Sequence, residues 1–193
     1  MSVKVTKPTV RLQDKINLNY ADTIPVERMP LGSIIQTVHH AHVTAGSANS
    51  STSTWSPVSG MYVDITPRLP GSRIMIHCML NSIYGRYSNV DTTSNYNHLR
   101  IYRVMNGTTQ LHYCTGQAGG ANGRMDAEIQ RQQHLGEHSS RFYQVIDVPH
   151  TTMKIRYQLY YISTGTHVLM HNDTNSTSNM TAYEIKYAGA ETT

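Results

Sequence analysis

The chain has 193 residues, 16 Lys and Arg against 12 Asp and Glu, a net charge of +4 and only 15% charged residues. Its mean hydropathy is still -0.43, so the polarity comes from Ser, Thr, Asn, Gln and Gly, a balance that suits strands and polar turns better than long helices. The basic residues are dispersed and no apolar run reaches membrane-spanning length, so neither a nucleic-acid partner nor membrane insertion is expected.

Residues 1–30 read as an extended N-terminal arm, with Pro8, Pro25 and Pro30 among mixed polar residues. Its short apolar pieces supply Ile16, Leu18, Tyr20 and Ile24 as anchoring residues for a partner. No apolar core of a signal peptide precedes Gln13-Asp14-Lys15, so synthesis in a cytoplasm is expected. Residues 31–193 form the second unit, where the chain turns strand-like.

Ser33 to Val43 is rich in β-branched residues, and Ser47 to Thr54 reads as a small-polar loop. Met61, Val63 and Ile65 alternate on one face of the next strand, and Pro67 to Gly71 makes a turn. Arg73 to Leu80 follows as a central strand whose near-continuous apolar run suits burial on both faces. Leu99 to Val104 ends at Asn106-Gly107, the strongest hairpin signal in the chain, and Gln110 to Tyr113 returns. Gly116 to Gly123 is loop, and Met125 to Gln133 is a short helix or an extended loop. Strands at Phe142–Val148, Met153–Tyr160, His167–Met170 and Tyr183–Tyr187 complete the set. Met153, Ile155, Tyr157 and Leu159 share one face while Lys154, Arg156 and Gln158 share the other, as in an antiparallel sheet with one wet side. The expected fold is all-β: an antiparallel β-sandwich, jelly-roll-like, with an extended N-terminal arm. Cys78 and Cys114 sit in strands without a CxxC neighbour; two buried thiols or one disulfide both fit.

The order of these pieces resembles a β-sandwich domain family found in tail-fibre and virion surface proteins of marine and freshwater tailed bacteriophages, including cyanophages. The resemblance is carried by Pro30-Leu31-Gly32-Ser33-Ile34-Ile35-Gln36, Tyr62-Val63-Asp64-Ile65-Thr66-Pro67, Ser72-Arg73-Ile74-Met75-Ile76 and Leu99-Arg100-Ile101-Tyr102-Arg103 with its Asn106-Gly107-Thr108 turn. It continues through Thr151 to Tyr157 and Thr181 to Ile185, and spans residues 30–188. The resemblance implies a non-enzymatic protein on the virion surface, assembled as a homotrimer. Family members often end a longer fibre, whereas no shaft sequence is present in this chain. The expected role is therefore capsid decoration (a cement protein) or a short head appendage, with the major capsid protein or a tail or baseplate protein as neighbour. The alternative role is a receptor-binding tail fibre or tail-tip adhesin that contacts a host surface glycan or protein.

No nucleophile elbow, metalloprotease motif or phosphate-binding glycine loop is present, so neither catalysis nor a cofactor is expected. Loops rich in Tyr and Asn offer area and hydrogen bonds at low entropy cost, which makes Tyr84, Arg86, Tyr87, Asn89, Tyr96, Asn175 and Asn179 the receptor-contact candidates. His40 and His42 point to one face of their strand, where three copies around an axis would bring six imidazoles together. Histidines on a wet or interfacial face are the commoner outcome, so no metal is expected there.

Overall fold

The computed structural model describes residues 25–43, 46–50, 54–87, 97–110, 139–163, 167–171 and 176–187. The strands are β1 (Ile34–His42), β2 (Gly46–Ser50), β3 (Ser56–Ile65), β4 (Arg73–Tyr87), β5 (Asn97–Met105), β6 (Thr108–Gln110), β7 (Ser139–Asp147), β8 (Ile155–Ser163), β9 (His167–His171) and β10 (Ser178–Ile185). They form an all-β sandwich of two antiparallel sheets. One has six strands in the order β1-β10-β4-β9-β2 with β7 also on β4, and the other runs β3-β8-β5-β6.

The core fills the space between the sheets because alternate side chains of each strand turn inward. Ile74, Ile76, Cys78 and Leu80 of β4 meet Met61, Val63 and Ile65 of β3 and Ile155, Tyr157, Leu159 and Tyr161 of β8. Asn106 and Gly107 both take positive φ, 50° and 72°, which gives the β5–β6 hairpin the turn its sequence demands. Two irregularities keep the alternation in phase with the core. In β3 the register shifts between Pro57 and Tyr62, and Gly60 sits at φ 73°, so that Val58 and Met61 both face inward. A second shift in β1, between Ile34 and Gln36, buries Ile35.

Polar groups inside the sandwich are satisfied by position. Glu184 is fully buried, and its carboxylate accepts the amides of Arg68 (2.8 and 3.0 Å) and Leu69 (3.0 Å), the Ser72 hydroxyl (2.7 Å) and the Gln36 amide (2.6 Å). That carboxylate fixes the turn after β3 onto β10 and offsets its own desolvation with charge-assisted bonds. Arg103 of β5 pairs with Asp147 of β7 at 3.0 Å, and the Tyr157 hydroxyl donates to the same carboxylate at 2.7 Å, so a buried ionic group joins the two sheets.

Several expectations need correction. The stretch expected as a loop from Ser47 contains β2, which pairs with β9 along Gly46–Ser50. Small polar residues are poor strand formers alone, and an available partner edge supplies the ordering. β4 runs on to Tyr87, seven residues past the expected end at Leu80, because β9 pairs with its second half. Met153, expected on the core face, lies ahead of β8 and is 47% exposed. The last residues of the expected arm pack on the domain: Val26–Arg28 form a 3-10 turn, and Lys186 Nζ donates to the Glu27 carbonyl at 2.5 Å. Residues 1–24, with Ile16, Leu18, Tyr20 and Ile24, lie outside the described residues, as do the expected helix and Cys114. Cys78 is a free thiol whose pKa burial pushes up to about 12.

Candidate assembly face

The outer side of the six-stranded sheet is built by the residues that alternate with the core. Hydrogen-bonded register across β1, β10, β4 and β7 sets three rows of four: Thr37–Tyr183–Met75–Ile146, then His39–Thr181–His77–Gln144, then Ala41–Asn179–Met79–Phe142. No Asp, Glu, Lys or Arg occurs in these rows. Phe142 is 59% exposed and Met79 39%, and Ile34, paired with Ile185 at the end of the same face, is 54% exposed. Arg73 pairs with Ile185 at that end, and its guanidinium lies 3.5 Å from the centre of the Tyr187 ring.

Local contacts hold the middle of the face. His77 lies between two rings, 5.1 Å from Phe142 and 5.0 Å from Tyr183, both edge-on. His39 Nδ1 and Thr181 Oγ1 are 2.9 Å apart. These three rows hold no carboxylate and no thiol. Their chemistry is that of a contact surface, since Met, Tyr and Phe are enriched and charges depleted at the centres of protein interfaces.

The outer side of the four-stranded sheet is different. Tyr102 is only 3% exposed although it faces away from the core, because Trp55, Tyr160 and Arg100 close over it. Arg100 also stacks on Trp55 at 4.4 Å. On the neighbouring strands Asp64 accepts two bonds from Arg156, at 2.7 and 3.0 Å, and one ion pair from Lys154 at 3.0 Å. These bonds hold the Asp64 carboxyl below its ordinary pKa. The Tyr62 ring carries Arg156 at 4.0 Å and His40 at 4.4 Å.

The sequence-derived candidates fall as follows. His40 and His42 share a strand face, but that face turns to β3 of the same chain. His40 stacks on Tyr62, and the His42 ring covers Gly60 so closely that a Cβ there would overlap it. Burial and the neighbouring His40 lower the His42 pKa. Among the described residues no group of three or more His, Cys, Asp or Glu is placed to hold a metal ion. Tyr84, Arg86 and Tyr87 belong to paired strand β4 rather than a loop, and Asn179 belongs to β10, paired with Met79 and Ala41. Strand pairing with β9 and β1 overrides the turn-like composition of both stretches. Asn89, Tyr96 and Asn175 lie outside the described residues.

The face that the sequence reasoning missed had one signal. The run Ile74-Met75-Ile76-His77-Cys78-Met79-Leu80 is apolar on both sides of its strand, yet only one side is covered within the described chain.

No protein-family model and no curated protein matches the chain. A solved structure titled as the infectious bursal disease virus VP2 subviral particle is similar in shape, with a TM-score of 0.40 and 11% identity. The match covers 80% of this chain and 38% of that one, so the chain spans well under half of its neighbour. Likeness at that level assigns no role.

Proposed function

We propose that this chain is a non-enzymatic structural protein of a virus particle that assembles with copies of itself, as a capsid-decorating protein or short head appendage. The observation that carries the reading is the set of three charge-free rows on the outer face of the six-stranded sheet, with Phe142 and Met79 open to solvent. A monomer gains nothing from keeping such a face uncovered, whereas an assembling subunit uses it.

Strand order adds support. Setting β2 and β9 aside, β1-β10-β4-β7 and β3-β8-β5-β6 interleave along the chain in the manner we read as a jelly-roll winding. That winding is used by viral capsid proteins, lectins and cupins, so it supports the reading only by analogy. Resemblance to the bacteriophage surface family points the same way. Among the described residues the receptor-binding reading has no observation of its own, since Tyr84, Arg86, Tyr87 and Asn179 lie in paired strands rather than in loops.

A density map of the intact virus particle tests the proposal. Subunit density over the capsid lattice is the expected result. Density at the tail or baseplate would make the chain a fibre instead, and a particle without the chain would refute the structural role.

A further inference from the structure

Charge decides which partner the six-stranded sheet can take. The chain carries a net charge of +4, so contact between two copies is least opposed where no charges of its own face one another. Within the rows from Thr37 to Phe142, charge is absent: every one of the positions is neutral or a histidine. The outer face of the other sheet carries Arg100, Arg156, Lys154 and Asp64. Laid against its own copy, that face would set like charges near one another.

A self-matching contact places one patch against the same patch on a second subunit. Such a contact needs a surface that complements itself, and an uncharged surface of Met, Phe, Tyr, Ile and Thr does so without any like-charge pair. The thioethers of Met75 and Met79 suit it further, since they adapt to the opposing surface and favour aromatic rings such as Phe142 and Tyr183. A strongly basic or acidic partner would find no opposite charge within these rows, and Arg73 at the end of the face is stacked on Tyr187.

We infer that the outer face of the six-stranded sheet packs against the same face of a second copy of this chain, about a twofold axis that runs parallel to the rows over the central one, so that Gln144 faces its own copy. This inference rests on the self-assembly in the reading above and names its contact. Sheets packed face to face interdigitate side chains across about 10 Å, which covers Phe142 and Met79 and leaves the Trp55–Arg100–Tyr102 side outward. The threefold arrangement implied by the family resemblance is the competing outcome.

Gln144 offers the test, since it is exposed in the central row and carries no buried apolar surface that a substitution would remove. Sedimentation equilibrium is run on the full chain as wild type, Gln144→Glu, Gln144→Lys and an equimolar mixture of the two variants, with circular dichroism as the folding check. The wild type is expected to be a dimer, and each variant alone to associate about tenfold or more weakly, because each places like charges across the axis. The mixture is expected to recover dimer, because Glu then meets Lys. Phe142→Glu provides the same loss of association if either Gln144 variant fails to fold. A monomeric wild type would overturn both self-assembly and this contact. A trimer, or a dimer indifferent to both charges, would overturn the contact alone and leave the virion role standing. Loss of association on changing Ile16, Leu18 and Tyr20 to Ser, with no response to Gln144→Glu, would assign the contact to the N-terminal segment and overturn the inference.

Discussion

On the outer side of the four-stranded sheet an aromatic residue, Tyr102, is 3% exposed; on the outer side of the six-stranded sheet another, Phe142, is 59% exposed. Both follow from the same strand alternation, and both sheets bury the same kind of aliphatic inner face. The difference lies in what the neighbouring strands supply. β5, β8 and the residue before β3 bring Arg100, Tyr160 and Trp55 together over Tyr102, whose hydroxyl accepts a bond from the Arg100 guanidinium. β1, β10, β4 and β7 bring Met, Phe, Tyr, Thr and His together, with His77 held by rings and Phe142 left open. A sheet face that closes over itself is finished as a surface. One that stays largely apolar is left to be finished by something else, and the inference above gives that role to a second subunit.

The largest expected effect tests the frame that both faces share. Asp147→Ala strands the Arg103 guanidinium between the sheets and leaves the Tyr157 hydroxyl without its acceptor. Urea denaturation should show a loss of about 3–5 kcal/mol. Replacing both members of the pair by Leu and Met should cost much less, because no charge is then left buried.

Tyr102→Ala and Phe142→Ala then break the comparison directly. The first should cost the monomer about 3 kcal/mol, as for any large buried aromatic. The second should cost the monomer less than about 1 kcal/mol, since Phe142 buries little, while weakening association. Equal losses of monomer stability would erase the distinction between the faces.

The edge where β1 meets β3 gives a third effect. Gly60→Ala places a Cβ into the His42 ring at a backbone φ of 73°, and thermal denaturation should show a loss of about 1–3 kcal/mol. The same edge should respond to acid. The His42 pKa is lowered in the folded chain, so the unfolded chain binds the proton more readily. Its contribution is complete above pH 6.5 and is lost as pH falls from 6.5 through the lowered value. Comparing His42→Gln with wild type in denaturation curves across that range isolates it. The smallest effect is expected for Asp64→Asn, less than about 1 kcal/mol, because Lys154 and Arg156 remain well solvated.

Much of the sandwich was legible in the sequence. Ile155, Tyr157 and Leu159 alternate with charged neighbours and are buried as expected, and Asn106-Gly107 makes its hairpin. Legibility fails where partners rather than patterns decide. In β10 the pattern Tyr183-Glu184-Ile185-Lys186-Tyr187 would put the aromatic side inward by hydrophobicity. The structure does the reverse, because the turn at Arg68 to Ser72 supplies donors to Glu184, and Glu27 supplies an acceptor to Lys186. The bulge at Gly60 is invisible in composition, although it is what brings Val58 into the core. For β4 the apolar run predicts burial on both faces, and the structure buries only the side of Ile74, Ile76, Cys78 and Leu80, leaving Met79 39% exposed on the other.

On the proposed contact, the six-stranded sheet is closed between chains while the four-stranded sheet is closed within one. Hydroxyl-radical footprinting across a concentration series tests it most directly, using Met79 on the face and Met153, 47% exposed and outside its rows, as internal control. Oxidation of Met79 is expected to fall as concentration rises while that of Met153 stays constant. Oxidation of both residues at unchanging rates, in a sample that sedimentation shows to be assembled, would contradict it.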